Sequence, residues 1–192
     1  MKFDAIIIGG GLAGSRIAAA LQKEGLQCAM VAEGLSIHNA DRSAFEAQGG
    51  YVLAGDRAEG GVIADGLVRS VGTANMGPDA LQADIWVLAT GKFFGRGIAA
   101  TMDSVYEPVF GLDVAYEQDR AKWFDADFSA PQPFLEFGLK TQDCHPLKDG
   151  KAVKNLYAAG EVLEGVSSAR TDAASIIEES ADKAVEQIKK ER

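Results

Sequence analysis

The sequence predicts a three-layer α/β fold: a parallel central sheet, helices on one side and a β-meander on the other. Three observations predict it. Short apolar runs end in glycine, as at residues 3–8 and 84–89, which is how strands buried on both faces read. A strand, a helix and a second strand follow one another within the first 32 residues, about the size of one βαβ unit. A hairpin signal then separates this unit from the next apolar strand.

Residues 3–8 are β-branched and apolar and read as the first strand. Residues 12–24 read as a helix with Ile17, Ala18 and Leu21 on its apolar face and Gly25 as its stop. Residues 27–32 form the second strand. The polar stretch 34–50 holds a loop and a short helix over 40–48. Between residues 51 and 83 short strands alternate with turns, and Asp65-Gly66 predicts a tight hairpin between 62–64 and 67–71. Residues 84–89 are again a continuous strand, closed by Thr90-Gly91. Residues 92–150 read as an irregular, aromatic-rich elaboration with one helix over 114–124. A last buried strand covers 156–159, and a long terminal helix covers 170–190, where Ile176, Ile177, Ala181, Ala184, Val185 and Ile188 recur at helical spacing. The whole chain, 1–192, is expected to be one domain.

The net charge of −9 and the lack of a long basic run argue against nucleic acid as a partner. No run approaches the ~20 apolar residues of a transmembrane helix and none reads as a signal peptide, so the expected location is cytoplasmic. Cys28 and Cys144 stand far apart with no CxxC, giving neither a metal framework nor a redox dithiol.

The chemistry sits in Gly9-Gly10-Gly11-Leu12-Ala13-Gly14, which fits GxGxxG between a strand and a helix. Gly9 permits the turn off the strand, Gly11 lets backbone approach a pyrophosphate, and Gly14 allows close helix–strand packing. The helix N-terminus offers free N–H groups and the positive end of its dipole to the diphosphate. Glu33 closes the second strand, where an acid accepts hydrogen bonds from the adenosine ribose and disfavours a 2′-phosphate. These residues predict a dinucleotide site; the choice between FAD and NAD depends on the rest of the chain.

Residues 87–97, VLATGKFFGRG, then 107–114, EPVFGLDV, then 155–160, NLYAAG, resemble the B subunit of anaerobic glycerol-3-phosphate dehydrogenase and, more distantly, GidA-type flavoproteins. The resemblance implies an FAD/NAD(P)-binding Rossmann-like domain with a β-meander crossover, with FAD as cofactor. It implies that Ala89, Thr90 and Gly91 pass near the flavin nucleotide; Gly34 and Ala58 are further candidates for cofactor contact. Gly160 and Glu161 contact the ribityl and pyrophosphate region, and Arg170, Thr171, Asp172 and Ala173 lie at a flavin-facing helix start. Family chains are about twice as long, so a substrate-covering cap is expected to be absent here and the flavin exposed. An exposed flavin requires a partner subunit or a second copy to cover it, or a small-molecule or protein redox partner that docks directly. Asp172 stands where family members carry glycine; near a flavin carbonyl it repels negative charge unless it turns away or caps the helix.

Among other residues, Arg42 and Ser43 are candidates for the pyrophosphate or adenosine, with a solvated loop as the alternative. Arg96 and Arg170 are the candidate cations at a flavin edge, with surface arginines as the alternative. His145 is either an acid–base group or a surface-loop histidine, and His38 is a loop residue near the second strand. Phe93, Phe94, Trp123 and Phe124 are expected in the core. No catalytic base is identifiable. The favoured function is a flavin-dependent oxidoreductase or the flavin-carrying subunit of one; the alternatives are a non-catalytic FAD-binding protein and an NAD-binding domain.

Overall fold

The computed structural model of the chain describes residues 2–33, 40–77 and 80–192. Strand β1 (Lys2–Ile8), helix α1 (Leu12–Lys23) and strand β2 (Cys28–Ala32) make the expected βαβ unit. Helix α2 (Ala40–Ala47) leads to β3 (Tyr51–Ala54), the hairpin β4 (Ala58–Ala64) and β5 (Leu67–Thr73), and then β6 (Gln82–Leu88). Seven short strands follow: β7 (Ala99–Ala100), β8 (Val105–Tyr106), β9 (Val114–Ala115), β10 (Gly138–Leu139), β11 (Thr141–Gln142), β12 (His145–Lys148) and β13 (Lys151–Ala152). Strand β14 (Leu156–Ala158) and helix α3 (Ala173–Glu191) complete the fold.

Five strands pair in parallel in the order β14-β6-β1-β2-β3. The chain winds outward from β1 to β3, crosses back through the hairpin, and resumes on the other side of β1. The strand order therefore reverses between β1 and β6, where the diverging connections leave a crevice at the strands' C-terminal ends. The register pairs Ile8 with both Val31 and Leu88, so the ends of β1, β2 and β6 open on one edge.

Side chains alternate between two cores. Ala5, Ile7, Met30 and Val87 pack against Ile17 and Leu21 of α1 and Ala181, Ala184 and Ile188 of α3. Ile6, Ile8, Val31, Trp86 and Leu88 pack on the other face against Val68 and Val71 of the hairpin and Phe110, Leu112 and Leu139 beyond it. Burial on both faces is why the central strands carry no polar alternation. The Asp65-Gly66 turn has both residues at positive φ, 56° and 73°, as a two-residue hairpin of the right twist requires.

Two expected helices change. Residues 114–124 form no α-helix: Val114 and Ala115 pair with β10, and Asp119 caps only a 3-10 turn, Arg120–Lys122, by accepting from Ala121 N. Val114 and Tyr116, β-branched and aromatic, suit that strand and the ring cluster with Trp123 and Phe137. The terminal helix begins at Ala173, after a turn in which Arg170 and Asp172 bond to each other. Among the described residues, no helix is long and apolar enough to cross a membrane.

Candidate cofactor cleft

The crevice at the switch point is a cavity of about 570 Å³. Its floor is the turn from Gly9 to Ala13. Gly9 has φ +114°, and a Cβ there would stand 2.2 Å from the Ala89 carbonyl oxygen. A Cβ on Gly14 would stand 1.9 Å from the Gly9 oxygen. Both glycines are therefore demanded by packing. Gly11 differs: a Cβ there meets nothing within 4 Å, so its lack of a side chain serves the cavity. Gly11 is the N-cap of α1 and makes no side-chain cap bond, and the first turn has no acid. The first N–H groups of α1 thus have no helical acceptor and offer the positive end of the helix dipole to the cavity.

Glu33 follows β2 at one end of the cavity. Its Oε1 accepts from Arg57 Nη1 at 3.2 Å and from Arg96 Nη1 at 3.0 Å. Arg57 also donates through Nε to Glu59 at 2.9 Å. Asp56, buried beside them, accepts from Thr73 Oγ1 at 2.6 Å and from the backbone N–H of Arg57 and Asn75. It fixes the crossover from β3 into the hairpin, and Ala58 begins the hairpin on the cavity wall.

The opposite wall is Ala89-Thr90-Gly91, closing β6. The loop after it folds back on itself. A Cβ on Gly95 would lie 2.4 Å from the Thr90 oxygen, and one on Gly97 would lie 1.9 Å from the Gly91 oxygen. The compact loop carries Arg96 to the Glu33 end and Phe94 to the other. Thr90 Oγ1 is buried and hydrogen-bonds to no group among the described residues.

At that far end stand Gly160, Glu161 and Ile177. Gly160, at φ +83°, brings backbone close to Ala13, and its N–H donates to Ser180 Oγ at 2.8 Å. Glu161 Oε1 accepts from Ser168 N at 3.0 Å. A second pocket of about 370 Å³ adjoins here, lined by Lys92, Phe93, Phe94, Phe134, Leu135, Glu161 and Ser168. Lys92 is 3% exposed. Its Nζ donates to the carbonyls of Leu135 and, at 2.7 Å, Val166. Burial pushes its amine down to about 8.

The cavity thus gathers Gly9, Gly10, Gly11, Leu12, Ala13, Glu33, Ala58, Ala89, Thr90, Gly91, Gly160 and Glu161, with Gly14 packed behind the turn. Others lie elsewhere. Arg42 pairs with Glu46 on α2 at 3.1 Å, and Ser43 is exposed on the same helix. Arg170, Thr171 and Asp172 are exposed, Ala173 is buried, and none of the four lines either cavity. Asp172 has turned to Arg170. Arg96 stands at Glu33 and not at the far end. Gly34 and His38 lie outside the described residues. His145 is no surface-loop residue: it is buried in β12, with Nδ1 2.9 Å from Leu156 O and Nε2 3.1 Å from Glu191 Oε2, beside the start of β14, and it lines neither cavity. Phe94 is fully exposed and Phe124 half-exposed, not core, whereas Trp123 is buried.

Sequence reasoning missed Asp56, Arg57, Lys92, Pro108, Val109 and Ile177. Lys92 carried a signal, since it directly follows the Thr90-Gly91 turn. The others reach the cleft only through the hairpin crossover and the packing of distant loops.

The parts fit a dinucleotide. The open space over Gly11 and the uncapped helix suit a diphosphate, and the orphaned Thr90 hydroxyl has bonding capacity left for a ligand.

Comparison with known proteins agrees. The profile of the FAD binding domain family matches residues 4–65 and 34–176. The B subunit of anaerobic glycerol-3-phosphate dehydrogenase from Yersinia pseudotuberculosis is 40% identical over 133 residues, 69% of this chain and 31% of its own. The corresponding Vibrio cholerae protein is 37% identical over 135 residues, with the same coverage. The aligned region therefore spans about a third of these relatives' length. Among solved structures, the GidA-related protein from Thermus thermophilus superposes with a TM-score of 0.56 at 14% identity, covering 99% of both chains. Thermovibrio ammonificans THI4 gives 0.57 at 15% identity, covering 99% of this chain and 90% of its own. T. acidophilum thioredoxin reductase gives 0.55 at 10% identity, covering 99% and 98%. These three share the fold.

Proposed function

The chain belongs to the FAD binding domain family, and from that premise we propose that it is the flavin-carrying part of an oxidoreductase, folded as one domain around its cofactor. The observation that carries the proposal is the glycine floor: Gly9 and Gly14 are closed by backbone contacts, while Gly11 opens onto the cavity beside an uncapped helix end. FAD, when bound, supplies hydride and electron transfer; the protein supplies binding, orientation and electrostatics.

In this reading the turn Gly9–Ala13 and the first N–H groups of α1 hold the pyrophosphate. Glu33 accepts from the adenosine ribose, with Arg57 and Arg96 holding its carboxylate in place. Thr90 and Glu161 serve the ribityl side. The similar chains are subunits of a glycerol-3-phosphate dehydrogenase, and we extend from them the reaction class and the need for a partner: a companion subunit, or a redox partner that docks at the open side. Among the described residues, the arginines that line the cleft, Arg57 and Arg96, are both engaged by Glu33, which argues against glycerol 3-phosphate as its ligand. The two cysteines are free thiols, which suits a reducing, cytoplasmic setting.

The test is the absorption spectrum of the purified chain, followed by chromatography of what heat releases. Flavin bands and released FAD are expected, with bleaching by an electron donor. A chain that stays colourless after incubation with FAD overturns the proposal.

A further inference from the structure

Glu33 follows β2, and Arg96 sits on the loop after β6. In the sheet β1 lies between those two strands, which sets them about 10 Å apart, two strand spacings. The ion pair of Arg96 Nη1 with Glu33 Oε1, at 3.0 Å, therefore bridges the crevice beyond the end of β1. Both residues line the main cavity.

The two arginines on Glu33 are held differently. Arg57 donates to Glu59 as well as to Glu33. Among the described residues, the Arg96 side chain hydrogen-bonds to Glu33 alone. It is largely exposed, and so solvated a pair is weak and opens readily. When it opens, Arg57 still holds the carboxylate. When it is closed, both arginines bond Oε1, and Oε2 accepts from no group among the described residues. That oxygen stays free for a ribose while the bridge is in place.

The backbone adds an independent observation. Among the described residues, five other than glycine have positive φ. Asp65, Asp143, Cys144 and Asp149 lie in the tight turns joining β4 to β5, β11 to β12 and β12 to β13, where a hairpin requires that conformation. Arg96, at φ +59°, lies in no hairpin turn. A long side chain there is strained, and such strain persists where the surroundings enforce it, most often at functional sites. The loop itself is fixed by the close approaches at Gly95 and Gly97, so the arginine side chain is the part free to move.

We infer that Arg96 is a strap across the adenosine end of the cleft: its side chain leaves Glu33 to let a ligand pass and returns to Glu33 once the ligand is in or out. The inference rests on the cleft holding an adenine dinucleotide. Only the open form exchanges ligand, and a solvated pair favours the closed form by a small factor. Entry and release are each slowed about two- to sixfold, while the affinity is unchanged.

Stopped-flow binding of FAD and of ADP tests this on the full chain, on Arg96→Gln and on Arg96→Lys. Arg69→Gln is the control, since Arg69 pairs with Asp65 and lines neither cavity. Arg96→Gln should raise entry and release together, about two- to sixfold for both ligands, with little change in Kd. Arg96→Lys keeps the charge and should fall between, and Arg69→Gln should match wild type. In about 0.5 M NaCl the ratio of variant to wild-type rates should shrink toward one, because salt screens an exposed pair. Faster release with unchanged entry would mean that Arg96 acts only by orienting Glu33, and the strap falls alone. Unchanged rates in Arg96→Gln overturn it equally. If neither FAD nor ADP binds the wild type, the functional proposal fails and takes the strap with it.

Discussion

Glu33 and Arg96 meet across the mouth of the cleft at 3.0 Å, the acid at the end of β2 and the arginine on the loop after β6. Arg57 shares the same carboxylate oxygen at 3.2 Å. The pair is largely solvated, with the Arg96 side chain 66% exposed and that of Glu33 37% exposed. Solvated pairs contribute little to folding, so this one matters through the carboxylate it orients. Glu33→Gln should therefore weaken FAD about ten- to a hundredfold, the worth of a charge-assisted hydrogen bond to ribose. FMN, which lacks adenosine, should bind as before, and the melting temperature should hardly move. Equal losses for FAD and FMN would place Glu33 away from the ribose.

Gly11 and Gly14 belong to one motif but do different things, and substitution separates them. Gly14→Ala sets a Cβ against the Gly9 carbonyl oxygen, backbone that has no free rotamer to yield. It should cost about 2–4 kcal/mol of stability, as overpacking of a buried position does. Gly11→Ala meets open space, so a urea melt should find it near wild type, while FAD titration should find its affinity reduced. Retained FAD affinity in Gly11→Ala would mean that the pyrophosphate does not cross that turn.

On β14, Tyr157 Oη donates to Glu191 Oε2 at 2.6 Å, and His145 Nε2 faces the same oxygen at 3.1 Å. The tyrosine hydrogen bond, aided by His145 and Gln187, holds the Glu191 carboxyl below its ordinary value of 4.5. A depressed carboxylate stabilises the fold above its unfolded-state pKa, and that contribution is lost as pH falls through the folded value. Because Glu191 lies at the surface, the effect should stay below about 1 kcal/mol. Glu191→Gln should lower stability slightly at pH 7 and converge with wild type once the pH has fallen below the depressed folded value. A gap that persists into acid would assign the loss to packing of the α3 terminus.

The sheet and the glycine floor were legible because each rests on local pattern. Residues 5–8 run apolar without alternation, as a strand buried on both faces does, and the turn after them needs Gly9 and Gly14 for contacts with Ala89 and with each other. The helix expected over 114–124 failed because its apolar residues were recruited by a partner distant in sequence, β10, and by Trp123 and Phe137. Arg96 was legible as a cation but not as a partner of Glu33, which lies 63 positions away. His145 was illegible for a related reason: its burial is made by Leu156 and Glu191, both brought to it by the return of β14 and α3.

Lys92 gives the sharpest pH dependence. Its ammonium is buried against two backbone carbonyls, and desolvation lowers its pKa from 10.5 to about 8, with Glu161 and Glu136 opposing only in part. In the unfolded chain the lysine keeps its proton up to about 10.5. Between these values the unfolded state binds more protons than the folded one, so stability rises with pH across this window. The cost of the buried cation is fully present below pH 8 and is relieved as the amine becomes neutral. A neutral amine still has two N–H groups for Leu135 and Val166, so both bonds survive the loss of charge. Wild type should therefore gain on the order of 1–3 kcal/mol relative to Lys92→Met between pH 8 and 10. Urea melts of the two proteins at pH 7, 8.5 and 10 measure this. A gap that stays constant, or moves toward the methionine variant as pH rises, would show that the amine is solvated and that the loop after Thr90 is looser than its glycine contacts require.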